Sequence, residues 1–283
     1  MLTSAQIADA VRVAIPLAAT TLRPDALAAL EVAAQSERSP RGRAVLGQLL
    51  DNARIAQKDA VPLCQDTGTV WVRVELGADE CVCGDLQAAV DAAVAGAYRD
   101  GHLRMSVVRD ALFDRTNTAD NTPAFLEVAL GARPSATGAT VHVMLKGGGS
   151  DNASRVVMLP PGAGIAGVKR VVMEAVLANA TGACPPLLVG VGVGATFDKV
   201  AGLAKKALLR PVGSVCEDPR AEALESELLA LVNATGIGPG GLGGDTTALA
   251  VHVVTAPCHI AALPVAVNMG CSAIRSASVE VGA

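Results

Sequence analysis

The sequence predicts a mixed α/β (α+β) protein: a helical N-terminal part over about residues 1–58, then strands alternating with helices, with binding loops at strand ends. Three observations carry this reading. Ala, Leu, Ile and Val recur at three- and four-residue spacings through the first fifty residues, which is the helical period. Later runs such as Val70 to Leu76 alternate apolar and polar at period two and interleave with helical stretches. The glycines gather where strand-like runs end.

Taken in order, Thr3 to Asn52 reads as helix with breaks at Thr21–Pro24 and Ser39–Gly42, and Ala44 to Lys58 as one further helix. Val70 to Leu76 reads as a half-buried strand closed by Gly77, and Gly84 to Asp100 returns to helix. Phe125–Leu130 and Thr140–Leu145 are strands, Ile165 to Asn179 a helix, and Pro186–Val191 a strand. Phe197 to Leu209 and Arg220 to Val232 are helices, and Thr246–Thr255 and Leu263–Val267 are strands. No repeat, low-complexity tract or flexible linker interrupts the series, so the chain is expected to form a single domain over 1–283.

Composition narrows the function. Of 283 residues 51% are hydrophobic and 18% charged, which excludes a disordered chain. A formal charge of −4 argues against nucleic acid and anionic membranes as partners, since both need a basic surface. One Trp, one Tyr and three Phe are too few for a single-strand stacking platform. No uninterrupted apolar stretch of about 18 residues is found, so no membrane span is expected. Met1 to Arg12 shows no basic region ahead of an apolar run, so no secretory signal is expected and the location is read as cytoplasmic. The seven cysteines are then expected to be mostly buried, reduced thiols, Cys216 and Cys258 among them.

Three glycine clusters, Gly147–Gly149, Gly190–Gly194 and Gly236–Gly244, each beside a strand end, point to backbone approaching a ligand closely. Gly190-Val-Gly192-Val-Gly194-Ala195 has the spacing of a dinucleotide fingerprint, but no acidic residue ends a following strand at the usual distance. Gly236-Ile-Gly238-Pro-Gly240-Gly241 matches the bare pattern and is followed by a strand instead of a helix. No Lys-Ser/Thr pair makes a phosphate loop of any cluster, and Cys81-Val-Cys83 lacks the two-residue spacer of a redox or zinc pair.

Cys64, Cys184 and Cys271 each sit in a loop, in Pro62-Leu-Cys64-Gln-Asp-Thr-Gly68, Ala183-Cys184-Pro-Pro186 and Asn268-Met-Gly-Cys271. Spacings of 120 and 87 residues forbid a local zinc knuckle, so any shared metal must be assembled by the fold. Three thiolates on a cubane iron–sulfur cluster would leave one iron open, a Lewis acid for a hydroxyl and a carboxylate.

At these residues the chain resembles the α-subunit, or N-terminal catalytic region, of the class I iron–sulfur fumarases and the related L-tartrate dehydratases, from about Leu46 to Val279. The motifs are residues 62–68, Lys-Gly-Gly-Gly-Ser-Asp-Asn at 146–152, residues 183–192, residues 236–247, and Pro-Cys-His-Ile-Ala-Ala-Leu-Pro-Val-Ala-Val-Asn at 257–268. The resemblance implies a [4Fe–4S] cluster on Cys64, Cys184 and Cys271, held in cluster-binding loops, with the fourth iron holding substrate. It implies that Gln65, Asp66, Arg104 and the backbone at Gly147 bind a dicarboxylate, and that Asp66 and His259 manage protons. It further implies a partner β-subunit (a heterodimer or α2β2) that completes the activity. Where the family commonly reads Trp-Ala-x-Arg-Arg after the last cysteine, this chain reads Ser272-Ala273-Ile274-Arg275-Ser276.

The expected activity is reversible hydration of fumarate to L-malate, favoured by Lys146–Ser150 and Cys258-His259. The alternatives are an L(+)-tartrate dehydratase α-subunit making oxaloacetate, and a non-catalytic iron–sulfur subunit. A nicotinamide enzyme using Gly190–Gly194 stands behind these. Asp66 as an Asx-turn residue, Arg104 as a surface cation and His259 as a core histidine are the plain structural readings of those three.

Overall fold

A capping box opens the first long helix: the Thr3 hydroxyl accepts from the Gln6 amide, and the Gln6 carboxamide accepts from the Thr3 amide at 2.9 Å. The structure, a computed structural model, describes residues 1–282. In chain order the elements are β1 (Leu2–Thr3), α1 (Ser4–Thr20), α2 (Pro24–Ser36), α3 (Pro40–Asp59), β2 (Thr69–Leu76), β3 (Val82–Cys83) and α4 (Leu86–Asp100). Then follow β4 (Phe125–Ala129), β5 (Ala139–Lys146), the single turn α5 (Gly148–Asn152), β6 (Arg155–Leu159), α6 (Gly164–Asn179) and β7 (Leu187–Ala195). The chain ends with α7 (Phe197–Ala207), α8 (Pro219–Asn233), β8 (Ala248–Cys258), β9 (Leu263–Gly270) and β10 (Ser276–Val281). The mixed α/β class and the helical N-terminal part are as the periodicity predicts.

The described chain divides into two compact units. One holds Met1–Arg23, Ala53–Gly148 and the strand from Arg275 onward; the other holds Pro24–Asn52 and Gly149–Ile274. The chain passes between them four times, and none of the crossings has a linker's composition, so the sequence alone shows no boundary.

In the first unit a four-stranded sheet, ordered β10-β5-β2-β4, is antiparallel except where β2 runs parallel to β4. Val70, Val72, Val74 and Leu76 of β2 and Val141, Val143 and Leu145 of β5 point to one face, where Ile7, Val11 and Ile15 of α1 and Val90, Val94 and Tyr98 of α4 cover them. The other face of β2 is not half-exposed as its alternation suggests. Arg73 is buried there because Glu75 (2.8 Å) and Glu127 pair with its guanidinium.

In the second unit a four-stranded sheet, ordered β6-β9-β7-β8, has α6 and α8 on one face and α7 on the other. The Gly190–Gly194 cluster lies inside β7, not at its end, and the reason is α7. A Cβ at Gly190 would stand 2.1 Å from the Ala204 carbonyl oxygen, and one at Gly192 2.5 Å from that of Val200. These glycines let a helix backbone settle onto the strand, so the dinucleotide-like spacing has a packing cause. Residues Ser4–Ser36 are apolar enough to cross a membrane by length and composition. They form two helices broken at residues 21–23, and α1 buries its apolar face on the sheet.

Candidate active site

Cys64, Gln65 and Asp66 lie on the loop entering β2, a loop held by side chains remote in sequence. Asp66 does form the Asx turn, its Oδ1 accepting from the Gly68 amide at 3.1 Å. The same oxygen is 3.4 Å from the Ser106 hydroxyl, and Oδ2 accepts from the Gly148 amide at 2.9 Å. Two amides are therefore fixed on one carboxylate, and the Ser106 hydroxyl divides its single proton between Asp66 and the Arg104 carbonyl, also at 3.4 Å, which leaves at least one of the four lone-pair sites for another partner. Gly147 is buried behind it: a Cβ there would sit 3.3 Å from Asp66 Oδ2 and 3.0 Å from Arg275 Nη2. Gly68, at φ +81°, lies under the Lys146 carbonyl, 2.5 Å from where a Cβ would be.

The carbonyls of this loop are held as firmly as its carboxylate. Arg275 Nη1 donates to the Asp66 carbonyl. The Tyr98 hydroxyl lies 3.0 Å from both the Thr67 and Gly68 carbonyl oxygens, and Asn121 Nδ2 donates to that of Gly68 at 3.1 Å. Burial pushes the Tyr98 hydroxyl far above its ordinary pKa, against the charge of Arg275, so it stays a proton donor. Asn121 also accepts from the Ser106 amide at 2.6 Å, and the Thr67 hydroxyl donates to the Arg104 carbonyl at 2.6 Å. Arg104 is thereby tied to the loop by its backbone while its side chain stays exposed, as does Gln65, whose Oε1 accepts from the Cys64 thiol at 3.3 Å.

Cys184 and Cys271 belong to the second unit, and its sheet brings them together. Strand β9 runs antiparallel to β7 with Leu188 opposite Gly270. Cys271 leaves β9 at the end where Cys184 enters β7, and the Ser272 amide donates to the Cys184 carbonyl at 3.0 Å. Cys184 holds a left-handed conformation (φ 56°) before the cis Pro185–Pro186 bond, and its side chain is exposed. The Gly236–Gly244 loop supports it: the Gly240 amide donates to the Pro185 carbonyl at 2.8 Å. That loop rests in turn on Glu37, only 2% exposed, which accepts from the amides of Ser39, Asp245 and Thr246 at 2.9–3.1 Å. Burial would raise the Glu37 pKa, but the amides of Asp245, Ser39 and Thr246 outweigh it, and the value is lowered from 4.5.

His259 lies at the other end of this sheet. Cys258 pairs with Ala195 at the far end of β7, seven residues from Leu188, or roughly 23 Å at a strand's rise. His259 is exposed on the β8–β9 connection, and its Nδ1 accepts from the Ala261 amide at 3.1 Å. It is therefore not a core histidine, and within one chain it is remote from Cys184 and Cys271.

The expectation of buried thiols is corrected. None of the seven cysteines is buried: Cys81, Cys83, Cys184 and Cys258 are exposed, and Cys64, Cys216 and Cys271 are half-buried, all unbridged. They occupy loops, the two-residue strand β3 and the last position of the edge strand β8, where the chain lies at the surface. Among the described residues no three His, Cys, Asp or Glu side chains are close enough together to hold one metal ion. A cluster's ligand sulfurs are spaced apart by the cluster itself. Unbridged, solvent-reaching thiols on supported loops, two of them at one sheet end, fit that donor set.

Tyr98, Ser106, Asn121 and Glu37 escape the sequence reading, which names Arg275 within the motif after Cys271 but gives it no role. Arg275, four residues after Cys271, is the one with a sequence signal: an arginine within a cysteine motif.

The fold and these loops define a class, loop-borne thiols and a fixed carboxylate at the ends of α/β sheets. The particular family is given by comparison. The fumarate hydratase (Fumerase) family model matches residues 8–280, and the chain belongs to that family, which places it among the hydro-lyases. It is 37% identical over 279 residues to a Methanocaldococcus jannaschii chain provisionally assigned as an L(+)-tartrate dehydratase subunit alpha, covering 96% of each. It is 35% identical over 265 residues to the L(+)-tartrate dehydratase subunit alpha of Escherichia coli strain K12, covering 93% of this chain and 87% of that one. The same identity and coverage hold for the subunit alpha of Shigella sonnei.

Proposed function

We propose that this chain is the α-subunit of an iron–sulfur hydro-lyase that interconverts a four-carbon hydroxy diacid and its dehydrated form, with L-malate and fumarate as the pair. The observation that carries the reading is the Asp66 carboxylate, fixed by the Gly68 and Gly148 amides with the Ser106 hydroxyl in reach, two residues from Cys64. Cys64, Cys184 and Cys271 would hold a [4Fe–4S] cluster, which when bound supplies Lewis acidity toward the substrate's hydroxyl and one carboxylate.

The chain's own groups divide the remaining work. In dehydration the C2–O bond breaks, the C3–H bond breaks, and the electron pair of C3–H becomes the double bond. Asp66 holds the proton exchanged with the departing hydroxyl at the free site on its carboxylate, with the Gly68, Ser106 and Gly148 donors fixing its direction. Gln65 and Arg104 bind the carboxylates, Arg104 through its exposed guanidinium. The Gly148 amide is engaged by Asp66, so the 147–148 backbone contributes by placing that carboxylate. The base at C3 is assigned to a β-subunit, in keeping with the α designation of the relatives. His259, at the far sheet end, would serve the site of a second copy of the chain.

A second reading, dehydration of L(+)-tartrate to oxaloacetate, is favoured by the names of those relatives. Tartrate differs from malate by one hydroxyl at C3. Anaerobic kcat/KM for L-malate, fumarate and L(+)-tartrate, measured on the iron-loaded chain with its β partner, separates them. Preference for malate and fumarate supports the first reading and preference for tartrate the second. A chain that binds iron and the β partner but turns over none of the three is a non-catalytic subunit.

A further inference from the structure

We infer that Arg275 is a positioning residue for Asp66, acting through the main chain of the Cys64–Gly68 loop; this rests on the role proposed for Asp66. Arg275 is 3% exposed and donates from Nη1 to the Asp66 carbonyl, 209 residues away in sequence. Its Nε is buried with no acceptor, and no carboxylate lies within ion-pair distance of the guanidinium among the described residues. A buried cation with one carbonyl partner and an unused donor is costly in isolation. Its place explains the cost: Nη2 borders Gly147 on the side that Asp66 Oδ2 also borders.

The neighbouring carbonyls show a single device. The oxygens of Asp66, Thr67 and Gly68 are held by Arg275, Tyr98 and Asn121, all essentially buried and drawn from three segments. Peptide planes fixed in succession from Asp66 onward, together with the Gly68 and Gly148 amides on its side chain, fix the direction of its carboxylate. Lysine keeps the charge of Arg275 but loses the fork that spans Nη1 and Nη2.

The test compares Arg275→Lys, Arg275→Met, Asp66→Asn and the Arg275→Met/Asp66→Asn double variant, each iron-loaded and assembled with the β partner. A misplaced catalytic group costs on the order of 100-fold in rate. Arg275→Met should therefore lose about 100-fold in kcat, with KM and iron content changed less than about threefold, and Arg275→Lys should recover part of the loss. The double variant should be no slower than Asp66→Asn, because the two act as one unit. Hydrogen exchange in the full chain should accelerate in the 62–68 segment of Arg275→Met and not in α6 or α8. Losses that multiply, or iron lost in step with activity, overturn the inference. Full activity in Asp66→Asn overturns the role of Asp66 instead. If Arg275→Met does not fold, Arg275→Lys decides: unchanged kcat and unchanged 62–68 exchange overturn the positioning role.

Discussion

Asp66 and Gly148 are 82 residues apart, and the carboxylate Oδ2 of one accepts from the main-chain amide of the other at 2.9 Å. The contact joins the loop that carries Cys64 to the end of β5, and it makes Asp66 a fixed group instead of a mobile surface acid.

Asp66→Asn keeps the size of the side chain but offers an NH₂ group where only acceptors fit. The prediction is a fall in kcat of about 100-fold or more, with iron content unchanged, read by anaerobic assay beside iron analysis.

Iron retention should sort the cysteines. Serine at Cys64, Cys184 or Cys271 should lower bound iron and the associated visible absorbance sharply. Serine at Cys81, Cys83, Cys216 or Cys258 should leave both unchanged. Equal losses from the two groups would remove the ligand assignment.

Gly190→Ala and Gly192→Ala place a methyl group against the α7 backbone. Each should cost about 1–3 kcal/mol by urea denaturation, as overpacking does. Neither should alter nicotinamide titrations, since the cluster answers to packing.

Glu37 gives a pH-dependent prediction. Its folded pKa lies below the unfolded 4.5, so its contribution is present in full above that value and is lost as pH falls through the folded one. Glu37→Gln should lower stability by about 1–3 kcal/mol at pH 7, and the gap to the unaltered chain should narrow by pH 3. A constant gap across that range would mean that the charge of Glu37 contributes nothing.

His259 can be tested by complementation. Chains carrying His259→Asn and chains carrying Cys184→Ser, each inactive alone with the β partner, should regain about a quarter of full activity when mixed in a two-fold assembly. No recovery after verified subunit exchange would remove His259 from the site.

Much of the fold was legible because periodicity is local. The break at residues 21–23, helix α4 and the strands β5 and β9 follow from spacing within a dozen residues. Strands β6 and β10 were not, being short edge strands whose pattern only their neighbours β9 and β5 complete. The three motif cysteines and Asp66 were readable as residue types in loops.

The sequence by itself determined the helical and strand periods, the family motifs and the residue types, thiol, carboxylate and carboxamide, that stand in them, because each is carried by neighbours along the chain. The tertiary structure alone decided which of them share a place. Strand register put Cys184 and Cys271 at one sheet end and His259 at the other. Hydrogen bonds across 30 to 209 residues made Tyr98, Asn121 and Arg275 the supports of Asp66 and its neighbours. Such partners are chosen by the geometry of the assembled sheets, and no short window of sequence contains it.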